Sequence, residues 1–260
     1  MKVEKFELEN KGEKILGHLH IPDNKTDKLI ILVHGFTGTE NGPVNLFVEL
    51  AEKLVSENFA VLRFNFRYTD ETWKEFHKMT MEGEKEDLKL IINKMSEKFS
   101  KIGLLGESMG GAVSILSYDH RIKCLVLWYP LIKLKGSDME KFFTKEAQKE
   151  LQETGFIRNL TSKGIIKVNK KYVEELKNLD LSENIKKISC PVLLIHGDVD
   201  DVVPVTQSEE AFSILKEPKK IEIIHNANHA WWNKEDTKPM KEAQEKAIKL
   251  SIDWFKKWLR

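Results

Sequence analysis

Apolar and charged residues alternate along residues 3–8 and again along 15–21, the period of strands that bury one face, and this predicts an antiparallel pair at the start of the chain. The pattern then changes. Residues 29–33 form a continuous aliphatic run, as in a strand buried on both faces. Behind Pro43, which suits a first helical turn, Leu46, Leu50 and Leu54 recur at helical spacing and predict a helix over 43–57. Strands at 60–66 and 102–105, a helix over 82–99, a helix from Met109 and a strand at 122–128 continue the alternation. Later strands at 192–195 and 221–224 and an amphipathic helix through Trp254 and Trp258 complete it. The fold class this predicts is α/β, with a mostly parallel central sheet and helices on both faces.

Between residues 130 and 188 the rhythm breaks into helical fragments, a hairpin expected across 155–168 with its turn near Ser162-Lys163-Gly164, and a helix near 171–176. That is far longer than the median connection of about 4–6 residues. It predicts an inserted cap at 131–187, flanked by the two parts of a core domain, 1–130 and 188–260.

The 260 residues are 41% hydrophobic with 42 Lys+Arg against 41 Asp+Glu, which excludes a disordered chain. It also leaves no cationic excess for nucleic acid. Cys124 and Cys190 both lie in apolar runs and read as buried free thiols of a reducing compartment. No run approaches the ~20 apolar residues that span a bilayer, and the N-terminus lacks an apolar leader, so the expected setting is cytoplasmic, without a membrane partner.

The sharpest motif is Gly106-Glu107-Ser108-Met109-Gly110, directly after the strand at 102–105 and before a run of small residues. G-x-S-x-G makes the strand-to-helix turn that lifts a serine hydroxyl above a parallel sheet. A serine needs a base, and the base a partner that fixes its tautomer. Candidates for both follow later strands: His196-Gly197-Asp198-Val199-Asp200-Asp201-Val202-Val203-Pro204, with three competing aspartates, and His225-Asn226-Ala227-Asn228-His229. His225 abuts its strand, whereas His229 lies out in the loop. A metal pair of these two histidines would need a helix where Asn226-Ala227-Asn228 argues for a loop, so no metal is expected. The amide of Met109, just after the serine, is one expected oxyanion donor.

With His34-Gly35-Phe36-Thr37-Gly38, the G-E-S-M-G-G elbow, the H-G-D-V-D-D-V-V-P stretch and the late His229, the chain resembles the α/β-hydrolase superfamily over nearly its whole length. Within it, the esterase and lipase branch with feruloyl (cinnamoyl) esterases and monoacylglycerol lipases is the most similar. The resemblance implies Ser108 as nucleophile, Asp200 as the acid, His229 as the base and the Phe36 amide as second oxyanion donor. Asp198 is then left to shape its turn, Asp201 to cap the next helix, and His34 to brace its loop.

One departure stands out: where many relatives have a glycine-containing turn of the type R-G-x-G-x-S, this chain has Arg67-Tyr68-Thr69-Asp70-Glu71-Thr72-Trp73. Tyr129, Phe142, Phe143, Phe156 and Tyr172 are candidates either for a pocket beneath the cap or for the cap's own core. Trp231 and Trp232 are the candidate substrate-binding residues, one expected to line the pocket and the other to pack.

The activity implied is that of a serine carboxylesterase working through an acyl-enzyme, with a small-molecule ester as partner, no cofactor, and a homodimer left open as assembly. Thioesterase and serine peptidase share the machinery, and a non-catalytic binding protein on the same fold is the rival from another class. A dinucleotide enzyme would need G-x-G-x-x-G after a strand, which is missing.

Overall fold

The computed structural model describes residues 1–161, 164–233 and 238–260. β1 (Lys2–Asn10) and β2 (Glu13–Ile21) form the expected antiparallel pair, in a register that sets Phe6 against Gly17. β3 (Lys28–Val33) leads through α1 (Leu46–Ser56) to β4 (Ala60–Asn65), then α2 (Met81–Ser96), β5 (Lys101–Glu107), α3 (Met109–Ser117) and β6 (Ile122–Trp128). Next come α4 (Lys145–Thr154), β7 (Phe156–Thr161), β8 (Gly164–Asn169), α5 (Lys170–Lys177) and α6 (Ser182–Ile185). β9 (Val192–Gly197), α7 (Val205–Ile214), β10 (Lys219–Ile224) and α8 (Lys241–Trp258) bring the chain back to the sheet and close it. The eight-stranded sheet runs β1-β2-β4-β3-β5-β6-β9-β10, antiparallel at β1-β2 and β2-β4 and parallel from β4 onward.

The aliphatic runs explain the layering. Successive side chains of a strand point to opposite faces, so Leu29 and Ile31 join one core with Leu88, Ile92 and Leu104, while Ile30 and Leu32 join a second with Leu50, Leu54 and Phe255. Each such side chain contributes about 1.5–3 kcal/mol on burial. Truncating fully buried Leu50 to alanine would cost about 2–5 kcal/mol.

Two local departures matter for the site. The helix expected from Pro43 begins only at Leu46, because Val44 and Asn45 take positive φ of 44° and 65° and break the 3-10 turn Pro43–Asn45 from α1. After β4, Tyr68 adopts φ 69°, a left-handed conformation that glycine takes most readily, and a 3-10 stretch Asp70–Lys78 follows.

The excursion between β6 and β9 contains the expected hairpin, Phe156 pairing with Asn169 and Thr161 with Gly164; Ser162 and Lys163 of the expected turn lie outside the described residues. It is tied down firmly. Asn169 Nδ2 donates to His77 O and Met79 O at 2.8 and 2.6 Å, the Met81 amide donates to Glu175, and Phe142, Ile166, Tyr172 and Leu176 enter the first core. Both cysteines are free and buried, and burial pushes the Cys190 thiol up to about 12. Among the described residues no helix is long and apolar enough to cross a membrane.

Candidate active site

β5 ends at Glu107 and α3 starts at Met109, so Ser108 alone makes the turn, at φ 54° and ψ −120°. A non-glycine residue held there stores backbone strain of about 1–3 kcal/mol. The turn is closed by Ser108 N–H donating to Trp128 O and by Gly111 and Leu131 amides donating to Ser108 O, each near 3 Å. Glycine is required at 106 and 110 by close approach. A Cβ at Gly106 would lie 2.5 Å from Gly110 O, and one at Gly110 would overlap Val33 O and reach 2.5 Å from His34 O.

Three side chains from three strand ends meet here. His229 Nε2 lies 3.1 Å from Ser108 Oγ, and His229 Nδ1 lies 2.7 Å from Asp200 Oδ2. Asp200 Oδ1 accepts from the Val202 and Val203 amides at 2.9 Å each, so the loop after β9 is folded around this carboxylate. Burial by itself would raise the Asp200 pKa. Hydrogen bonds from His196 and His229, the His229 charge and the Val203 amide outweigh it and hold the carboxyl below its usual range. An ionised Asp200 keeps the proton on Nδ1 and leaves Nε2 as the acceptor facing Ser108.

The competing residues lie elsewhere. Asp198 pairs with His225 Nδ1 at 2.6 Å, in a pair whose histidine side chain is 82% exposed. Asp201 is exposed, and the N-cap position expected for it falls instead on Pro204, which has no side-chain cap. His34 braces its loop, its Nδ1 lying 2.9 Å from Gly35 O while the Phe66 amide donates to its Nε2.

The amides of Phe36, in the loop after β3, and of Met109, directly after Ser108, carry no protein hydrogen-bond acceptor among the described residues. Two residues near them escape the motif reading. His196, the last-but-one residue of β9, is fully buried and sits 3.3 Å from Asp200 Oδ2, with Ser208 and Val203 O on its ring nitrogens. Glu107, the variable position of the elbow, lies buried beside Ser108 with Oε1 accepting from the Gly35 amide at 2.6 Å. A histidine closing an aliphatic strand and a carboxylate preceding Ser108 were the available signals.

A slot of about 320 Å³ opens onto Ser108 and His229, lined by Gly35 to Thr39, Gly42 to Val44, Glu107 and Ala230. Trp231 does not line it: the ring is fully buried between Trp128 and Tyr129, centroids 4.7 and 4.9 Å away. Of the two tryptophans, Trp231 is therefore the one that packs, in a loop where Ala230 and Trp231 take positive φ. Trp232 is half-buried in a two-residue strand, outside the slot's lining. Tyr129 supports His229 from below, centroids 4.5 Å apart. Among the described residues no group of His, Cys, Asp or Glu is arranged to hold a metal.

Comparison with known proteins agrees with this geometry in kind. An uncharacterized 31.7 kDa protein of Escherichia coli, from the traX-finO intergenic region, is 25% identical over 95% of this chain and 97% of its own length. The putative esterase YitV of Bacillus subtilis (strain 168) is 23% identical over 98% and 100%. The solved structure of Est1E from Butyrivibrio proteoclasticus superposes with a TM-score of 0.71 at 20% identity, covering 96% of this chain and 98% of that one, which shows the α/β-hydrolase fold. Residues 49–260 match the family model of the prolyl oligopeptidases, and the chain belongs to the prolyl oligopeptidase family.

Proposed function

We propose that the protein is a serine carboxylesterase. The observation that carries this reading is the hydrogen-bonded series Ser108–His229–Asp200, on a fold whose relatives include a putative esterase. Ser108 Oγ attacks the ester carbonyl as its proton passes to His229 Nε2, and the carbonyl oxygen takes up the charge against the Phe36 and Met109 amides. The bond from carbonyl carbon to alcohol oxygen then breaks, His229 returns the proton to the alcohol, and an acyl ester remains on Ser108. Water repeats the steps, releasing the acid and free serine. Asp200 orients the imidazole and stabilises its charged form. A thioester would be cleaved by the same sequence with a thiol leaving.

Steady-state hydrolysis of p-nitrophenyl acetate and butyrate and of an acyl thioester, by wild type and Ser108→Ala, tests the reading. Turnover should fall by about 10⁴–10⁶ in the variant, with an unchanged circular-dichroism spectrum. Equal rates in the two proteins would remove Ser108 as nucleophile.

A further inference from the structure

The walls of the slot at Ser108 include Ala230, which packs on the sheet face that carries α1 and α8, and Phe36, which packs with the core of the other face. On the other face, above α3, an aromatic block meets the site, and the Phe36 ring is its centre. Tyr172 stacks on Phe36 at 5.4 Å with planes 20° apart, Phe76 and Phe142 meet it edge-on at 5.5 and 6.1 Å, and Tyr172 Oη lies 4.0 Å from Met109 Sδ. Tyr172 is 0% exposed, Phe142 and Met109 1% and Phe76 2%, so these side chains are almost wholly out of reach of water. In the block the excursion between β6 and β9, through Phe142 and Tyr172, packs onto Phe36, Phe76 and Met109.

An ester laid across Ser108 has two arms, and proton transfer decides which goes where. The departing alkoxide must take its proton from His229 Nε2, so the alcohol arm lies within hydrogen-bond reach of the imidazole. That imidazole lines the open slot. The acyl arm is left facing the aromatic block.

Building on the esterase reading, we propose that this site takes esters of short acids, acetyl and propionyl, and tolerates wide variation in the alcohol. Long-chain acyl groups and aromatic acids of the cinnamic type are excluded because Tyr172 and Phe142 occupy their place. A methylene that a closed apolar pocket cannot admit is discriminated by about 10–200-fold, so a few suffice.

The test is kcat/KM for two ester series. In the first the alcohol is constant (p-nitrophenyl acetate, butyrate, octanoate), with methyl ferulate added; in the second the acid is constant (ethyl, phenyl and 1-naphthyl acetate, the two aryl esters compared with each other). Acetate should exceed octanoate by at least about 10², methyl ferulate should be turned over more slowly than ethyl acetate, and the two aryl acetates should differ by less than about tenfold. Tyr172→Ala should cut the acetate-to-octanoate ratio at least tenfold by raising octanoate, and Phe142→Ala serves where the first variant does not fold. Octanoate or ferulate turned over as fast as acetate by wild type, or a ratio unmoved in a folded variant, overturns the acyl assignment and leaves the esterase reading intact. A wild type inactive on every ester overturns that reading, and this inference with it.

Discussion

The Gly35 amide donates to the buried carboxylate of Glu107 at 2.6 Å, which ties the loop after β3 to the residue next to Ser108. Phe36 follows Gly35 directly, so this bond sets the direction of the proposed oxyanion donor. Burial pushes the Glu107 carboxyl up, while the Gly35 amide, the His229 charge and Tyr129 pull it down. Loss of a complete oxyanion donor costs about 10²–10³ in rate, and a misaimed one costs less. Glu107→Gln keeps an acceptor and should hold kcat within a few-fold; Glu107→Leu should lower kcat by about 10–10² with KM nearly unchanged. Steady-state kinetics of both variants on one ester decides it, and equal rates in the two would mean that the bond does not aim the loop.

Asp200 and Asp198 stand two residues apart and each meets a histidine, yet only the Asp200–His229 pair reaches Ser108. Asp200→Asn should lower kcat by about 10⁴, the scale known for such a substitution in serine proteases, because the amide no longer holds the proton on Nδ1. Asp198→Asn breaks an exposed pair and should change kcat less than about twofold, with little effect on stability. A reversed ranking in kcat would reassign the acid.

Much of this was legible in the chain because buried parallel strands write themselves as unbroken aliphatic runs. Residues 29–33 and 122–128 predicted β3 and β6 almost to the residue. The G-E-S-M-G turn was readable because close packing leaves no room for a Cβ at 106 or 110. Choosing Asp200 from three aspartates needed the resemblance, since spacing alone gives each a similar place in the loop. Helix α1 started late and Trp231 turned inward because positive φ at Val44, Asn45, Ala230 and Trp231 is set by tertiary contacts that local propensity does not register. Glu107 and His196 went unread for a related reason: each acts through a partner distant in sequence or a main-chain group.

The same close packing makes Gly110 the most sensitive position of the elbow. A methyl group there would overlap Val33 O and reach 2.5 Å from His34 O, both main-chain atoms at the end of β3 that cannot swing aside. Overpacking of this kind costs about 1–3 kcal/mol or more, which in a domain of this size lowers Tm by roughly 2–4 °C per kcal/mol. Gly110→Ala should therefore melt at least several degrees below wild type and lose activity as the β3 end moves away from Ser108. Gly12→Ala, where no atom lies within 4 Å of the new Cβ, should keep full activity and pay only the strain of its φ of 82°.

His20 should make stability fall as pH drops. Its Nε2 accepts from Arg63 Nε at 3.1 Å, and Arg63 in turn donates to Glu40 O and Asn41 Oδ1 in the loop leading to the slot wall. Burial, the Arg63 charge and His18 lower the His20 pKa from 6.5 to about 4. The unfolded chain, with an ordinary histidine near 6.5, binds the proton that the folded chain refuses in this window, so stability rises with pH across it. The contribution is complete above about pH 6.5 and is lost progressively as pH falls toward 4, on the order of 2 kcal/mol in all. Glutamine keeps an acceptor for Arg63 and does not titrate. In urea unfolding, His20→Gln should match wild type within about 1 kcal/mol at pH 7 and exceed it by ~1–2 kcal/mol at pH 4.5. The difference between the two proteins isolates this group from the carboxylates, which titrate in both, and parallel curves across the window would show that His20 is not held neutral by the fold.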